Sequence, residues 1–164
     1  MRRLWILRHV KSSWDEPELA DHERPLAPRG RKAGERLRRW AEGHDVRPDL
    51  VLCSSAVRAR ATLDLIAPGL AGDPQVEIES RLYHAWADDL LDRVREIEPA
   101  HETVMLIGHN PGLHDLVALL APPGPAEFPT GALAELHLDA DDWRLVRAGS
   151  ATLAGLVVPR QLEG

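Results

Sequence analysis

LWILRH, Leu4 to His9, runs four apolar residues straight into an arginine and a histidine. A buried strand has this form when it delivers a polar pair to the edge of a sheet. In a regular strand Arg8 and His9 would point to opposite faces, so for both to serve one site the chain must leave strand geometry there. The loop-like VKSSWDE that follows agrees with that exit.

The same form recurs twice. DLVLC, 49–53, reads as a buried strand that ends in SSAVRAR, and TVMLI, 103–107, as another that ends in GHNPG. Between the first two lie a long connection with Pro17, Pro25 and Pro28, and then a helix over 29–42. That helix carries Ala33, Leu37, Trp40 and Ala41 on one face, and its arginine run reads as a solvated face. Ser54 and Ser55 are expected to cap a helix that runs to Ala67 with Ala59, Leu63 and Ile66 inward. A short strand is expected at 76–78, and a helix at 87–97 carries Leu90, Val94 and Ile97 before Glu98-Pro99 stops it.

Asn110 and Pro111 read as cap and first turn of a helix with Leu113, Leu116, Val117 and Leu120. Residues 121–131 are a Pro/Gly-rich loop. Strands are expected at 133–138 and 143–148, joined by a turn at DADD, with a last one at 153–158. Strands alternating with helices predict an α/β fold, a three-layer α/β/α sandwich with a mostly parallel central sheet and an antiparallel edge near the end of the chain. At 164 residues the chain is expected to form a single domain, 1–164.

Net charge of −6 with 28% charged residues argues against general affinity for nucleic acid or an anionic membrane. The single cysteine, Cys53, reads as a buried core thiol and excludes both an internal disulfide and a thiolate zinc site. With no apolar run long enough for a signal peptide or a membrane span, a cytoplasmic location is expected. The eight histidines show no metal-ligand spacing, so neither metal nor cofactor is expected.

Sites in such folds gather at the C-terminal ends of the strands. Three of those ends here carry Arg8-His9, Arg58 and His109, beside helix starts at Ser54 and Asn110, a set suited to a tetrahedral dianion. Imidazole serves either as a nucleophile toward phosphorus or as a donor to its oxygens.

With RH after an apolar strand, SSAVRARAT at 54–62, LIGHNPG at 106–112 and RPLAPRGRKAGERL at 24–37, the chain resembles the histidine phosphatase superfamily. That superfamily is also called phosphoglycerate mutase-like, and the short form resembles its SixA-type phosphohistidine phosphatase branch. The resemblance implies that His9 is a nucleophile that becomes transiently phosphorylated, and that Arg8, Arg58 and His109 bind the phosphoryl group. It also implies a place near the phosphate for Ser12. Lys11 and Arg60 are expected in solvent rather than at the pocket rim.

The resemblance has a gap. Many relatives carry a carboxylate general acid after the third strand, whereas the corresponding run here is RLYHAWADD, 81–89. His84 is near the expected position as a possible general acid, and Asp88 and Asp89 lie beyond it. A poor alkoxide leaving group gains about 10²- to 10⁴-fold from a placed acid. Phosphohistidine, whose second ring nitrogen takes a proton from solvent, needs it less. The expected activity is therefore a metal-independent phosphohydrolase acting on phosphohistidine in a protein. The alternatives are a phosphatase of small phosphate esters, such as sugar or nucleotide phosphates, and a non-catalytic phosphate- or phosphoprotein-binding module.

Overall fold

The computed structural model describes residues 1–162. Strand β1 spans Arg2–Arg8, β2 Leu50–Ser54, β3 Gln75–Glu79, β4 Thr103–Gly108, β5 Leu133–Leu138 and β6 Ala151–Val157. Helices α1 (Pro28–Glu42), α2 (Val57–Ile66), α3 (Ala87–Arg95) and α4 (Gly112–Leu120) connect them. The strands lie in the order β3-β2-β4-β1-β5-β6. The first four are mutually parallel, while β5 and β6 run antiparallel at the other side. This is the mostly parallel sheet with an antiparallel edge that the alternation of elements predicts.

Alternation along each central strand feeds two separate cores. Leu4 and Ile6 of β1, Leu50 and Leu52 of β2, and Val104 and Leu106 of β4 pack with Leu90 and Val94 of α3 and Leu113 and Leu116 of α4. The intervening Trp5, Leu7, Val51, Cys53, Met105 and Ile107 pack with Leu37 of α1 and Ala59, Leu63 and Ile66 of α2. A sheet buried on both faces therefore separates two helix layers, and each fully buried leucine or isoleucine contributes roughly 1.5–3 kcal/mol. Cys53 is part of that core, and burial pushes its thiol up to about 12. Among the described residues no helix is long and apolar enough to cross a membrane.

Three local expectations change. Residues 143–148 are not a strand: Trp143–Leu145 form a short 3₁₀ turn, and the partner of β5 is β6. Trp143 is fully buried with its indole N–H on the His101 carbonyl at 2.6 Å, and the Asp142 carboxylate accepts from the Arg144 backbone N–H. Anchored in this way, the segment is a loop plug under the sheet rather than a ladder partner. Ser54 is the last residue of β2 and Ala56 precedes α2, so neither serine caps that helix. Helix α3 ends at Arg95, although Ile97 stays buried beyond it.

Candidate active site

Parallel register places the site. Arg8 of β1 lies opposite Gly108 of β4, and both strands end there. The next residues, His9 and His109, are thereby brought side by side, with ring centroids 5.2 Å apart. His9 follows the last strand residue, as the need for both Arg8 and His9 to face one site predicts. Its backbone N–H is still paired with the Gly108 carbonyl at 3.1 Å, and the Val10 N–H turns to Thr62 Oγ1 of α2 at 3.1 Å.

His9 is buried, and its Nδ1 lies 2.7 Å from the Val10 carbonyl oxygen. A carbonyl only accepts, so Nδ1 carries the proton and Nε2 is left with its lone pair. Burial, reinforced by Arg58, Arg8 and Arg24 and opposed by the Val10 hydrogen bond, lowers the pKa of His9 to about 4. The ring is neutral at physiological pH.

His109 is held from β2. Its Nε2 lies 2.7 Å from Ser54 Oγ, which already accepts the Ala56 N–H at 3.2 Å. Among the described residues the Nδ1 of His109, buried, has no partner, and burial together with the neighbouring His9 lowers the His109 pKa to about 3. The result is a desolvated ring nitrogen without a partner beside the His9 ring.

The two histidines open into a cavity of about 270 Å³ that Arg8, Lys11, Arg24 and Arg58 also line. No carboxylate is among its lining residues. Arg8 is steadied by the Phe128 carbonyl at 3.2 Å, and Asn110 Nδ2 donates to the same oxygen at 2.7 Å. The 121–131 loop thus forms one wall. Arg58, at the start of α2, donates to the Asp21 backbone oxygen at 2.7 Å and to its carboxylate at 3.0 Å. Arg24 donates to the Asp21 carboxylate at 2.8 Å and to the Ser13 carbonyl at 3.0 Å, and also to Ser12 Oγ. Its guanidinium carbon sits 3.2 Å from the centre of the exposed Trp14 ring. Burial opposes ionisation of Asp21, but hydrogen bonds from Tyr83, Arg24 and Arg58 outweigh it and hold the carboxyl well below the usual range.

Arg8, His9, Arg58 and His109 are therefore brought to one cavity, as their strand-end positions predict, and Ser12, expected there only from the family resemblance, lines it too. Ser12 spends its hydroxyl on Arg24. Lys11 lines the cavity as well, against the expectation of a solvated role only, while Arg60 stays exposed with its Nε on the Ser55 carbonyl at 2.9 Å. His84 is exposed against the Tyr83 ring and does not line the cavity. Asp21, Arg24, Ser54 and Asn110 were not legible as site residues. Asp21 and Arg24 sit in a connection without periodicity, and Ser54 and Asn110 read equally well as helix caps. Among the described residues no three His, Cys, Asp or Glu side chains converge in a way that would hold a metal ion.

Four cations and an unpartnered ring nitrogen around a neutral imidazole on a doubly covered parallel sheet define a phosphate-handling α/β enzyme. The profile of the histidine phosphatase superfamily (branch 1) matches residues 4–87, about half of the chain. The chain belongs to that superfamily and is a phosphatase. It is 33% identical over 164 residues to an uncharacterized protein of Mycobacterium tuberculosis, covering 94% of this chain and 100% of the relative. Among solved structures, the protein histidine phosphatase SixA complexed with tungstate superimposes with a TM-score of 0.83 at 26% identity, over 98% of this chain and 99% of the other. A candidate phosphohistidine phosphatase SixA from Nakamurella multipartitia gives a TM-score of 0.84 at 26% identity, covering 96% of each chain. The α-ribazole phosphatase of Shigella flexneri shares the fold at 22% identity, with a TM-score of 0.66 over 96% of both chains.

Proposed function

We propose that the chain hydrolyses phosphohistidine through a covalent intermediate on His9. The observation that carries this reading is the state of His9: neutral, with Nδ1 fixed on Val10 and the Nε2 lone pair free at a cavity lined by four cations. In the first step Nε2 bonds to phosphorus in line as the substrate P–N bond breaks. The departing imidazole takes its proton on its other nitrogen from solvent. Arg8, Arg58 and His109 meet the charge on the phosphoryl oxygens, and their fixed positions supply most of the acceleration. Water then attacks phosphorus, the Nε2–P bond breaks, and phosphate and neutral His9 are regenerated. Among the described residues the lining carries no carboxyl that could protonate an alkoxide, and Asp21, which binds the cavity arginines Arg24 and Arg58, is held ionised. That favours a phosphoramidate over an alkyl ester, in agreement with the SixA likeness.

Initial rates in EDTA on a phosphohistidine peptide, a panel of sugar and nucleotide phosphates and para-nitrophenyl phosphate, for wild type and His9→Ala, test the reading. The expected result is a preference for phosphohistidine that vanishes in the variant, with phosphate trapped on His9 after acid-free quench. Faster turnover of an alkyl ester overturns the substrate class but keeps the nucleophile. Activity that survives His9→Ala overturns the mechanism, and phosphate binding without turnover or labelling identifies a binding module.

A further inference from the structure

A second basic concavity of about 380 Å³ opens beside the catalytic one, and the two share Lys11 and Thr130 in their walls. Lys11, Arg29, Lys32, Arg36 and Arg160 line it, and among the described residues no carboxylate does. Five cations concentrated at one place in a chain of net charge −6 are a local excess that the overall composition hides. Among the described residues only Arg160 is in an ion pair, with Glu127 at 3.4 Å.

The fold builds this stripe. Helix α1 starts against the segment that follows His9: the Ala27 N–H donates to the Lys11 carbonyl at 2.9 Å, and a Cβ on Gly30 would lie 2.1 Å from that oxygen. Glycine at 30 therefore lets the helix rest directly on the catalytic loop. Arg29, Lys32 and Arg36 then follow at spacings of three and four, one face of the helix over about 10 Å.

The two concavities handle charge differently. In the catalytic one, Arg24 and Arg58 are each 6% exposed and locked by Asp21, which fixes them on one tetrahedral group. In the groove, Lys11, Arg29 and Lys32 are exposed and, among the described residues, make no ion pair that would fix them, a surface that reads summed charge along a line rather than the place of one atom. A second phosphate would require fixed donors, whereas carboxylates spaced along an extended chain would not.

We infer that this groove takes the acidic flank of the polypeptide that carries the phosphohistidine. The inference rests on the phosphohistidine reading above and adds which protein substrates are preferred. The test uses two phosphohistidine peptides of equal length, one with Asp and Glu flanking the phosphorylated residue and one with Ser and Gln, together with free phosphohistidine. Each is assayed against wild type, Lys32→Glu/Arg36→Glu and the milder Lys32→Gln/Arg36→Gln, at low and high salt.

The expected result is a KM for the acidic peptide about tenfold below that of the neutral one, erased by either variant and by salt, with kcat and free-phosphohistidine turnover unchanged. Equal KM values for the two peptides in wild type overturn the groove alone. So does an equal loss on free phosphohistidine, or strong inhibition by tripolyphosphate that the variants relieve, which would make the groove a second phosphate site. No turnover of any phosphohistidine compound overturns the substrate reading itself, a result distinct from the others.

Discussion

Asp21 holds Arg58 at two points, accepting from one terminal nitrogen with its backbone oxygen at 2.7 Å and from the other with its carboxylate at 3.0 Å. The same carboxylate accepts from Arg24 at 2.8 Å and from the Tyr83 hydroxyl at 2.5 Å. One side chain in the 10–28 connection thus orients two cavity arginines that come from different segments. It does not line the cavity itself and is a positioning residue.

Asp21→Asn keeps the shape but removes the charge and part of the acceptor capacity, so Arg24 and Arg58 lose their common anchor. The expected loss in kcat/KM is about 10²-fold, the scale of a misplacement of about 1 Å. A positioning role predicts more: Asp21→Glu should restore part of the rate, and the affinity for inorganic phosphate as a competitive inhibitor should fall with the rate in Asp21→Asn. Unchanged phosphate affinity with a slow chemical step would give Asp21 a different role.

The pH dependence of stability follows from His9 and His109, whose folded pKa values are lowered to about 4 and about 3 by burial. An unfolded histidine takes up its proton near pH 6.5, so on acidification the unfolded chain binds protons first. The stability contribution is complete above about pH 6.5 and is lost as pH falls toward 4. For His9, only 6% exposed, the loss is roughly 2 kcal/mol by pH 4.5. Asp21 acts in a lower window: its lowered pKa adds stability that is complete above the ordinary carboxyl range, near pH 4, and is lost as pH falls below it. Thermal unfolding between pH 7 and 4.5 should show a drop that His9→Gln reduces. A flat profile would mean that the histidines are not buried neutral.

Gly30 couples helix α1 to the catalytic loop. Gly30→Ala sets a Cβ 2.1 Å from the Lys11 carbonyl oxygen, a backbone atom that cannot swing aside. The overpacking is expected to cost about 1–3 kcal/mol, a fall in Tm of several degrees. Because the loop must move, activity should fall too, more than for Gly43→Ala at the far end of the helix, where nothing approaches closer than 3.7 Å.

The layering was legible because each core strand is a continuous apolar run whose alternate residues both find a helix layer, as Leu4 and Ile6 against Trp5 and Leu7 do. The strand-end residues His9, Arg58 and His109 were legible for the same reason, since a strand that ends in polar chemistry has few places to put it. What failed is what long-range contacts decide. Alternation at 143–148 suggests a strand, but Trp143 finds the His101 carbonyl 42 residues away and is drawn into a plug. Asp21 and Arg24 show no local pattern, because their roles exist only once Arg58 and Tyr83 arrive from elsewhere in the chain.

His84 is the remaining question about the leaving group. It is exposed, has a left-handed φ of 59° and lies against Tyr83 with ring centroids 3.9 Å apart and the rings tilted by 41°, outside the cavity lining. An acid must be within hydrogen-bond reach of the leaving atom, directly or through one water. An alkyl phosphate depends on such an acid, whereas para-nitrophenyl phosphate, with its good leaving group, does not. His84→Ala is therefore expected to change kcat by less than about threefold on para-nitrophenyl phosphate, on an alkyl phosphate and on phosphohistidine alike. His84→Gly, which relieves the left-handed backbone, should raise Tm slightly or leave it unchanged. A loss of about 10²-fold confined to the alkyl phosphate would instead make His84 the proton donor, and esters would then be within the enzyme's reach.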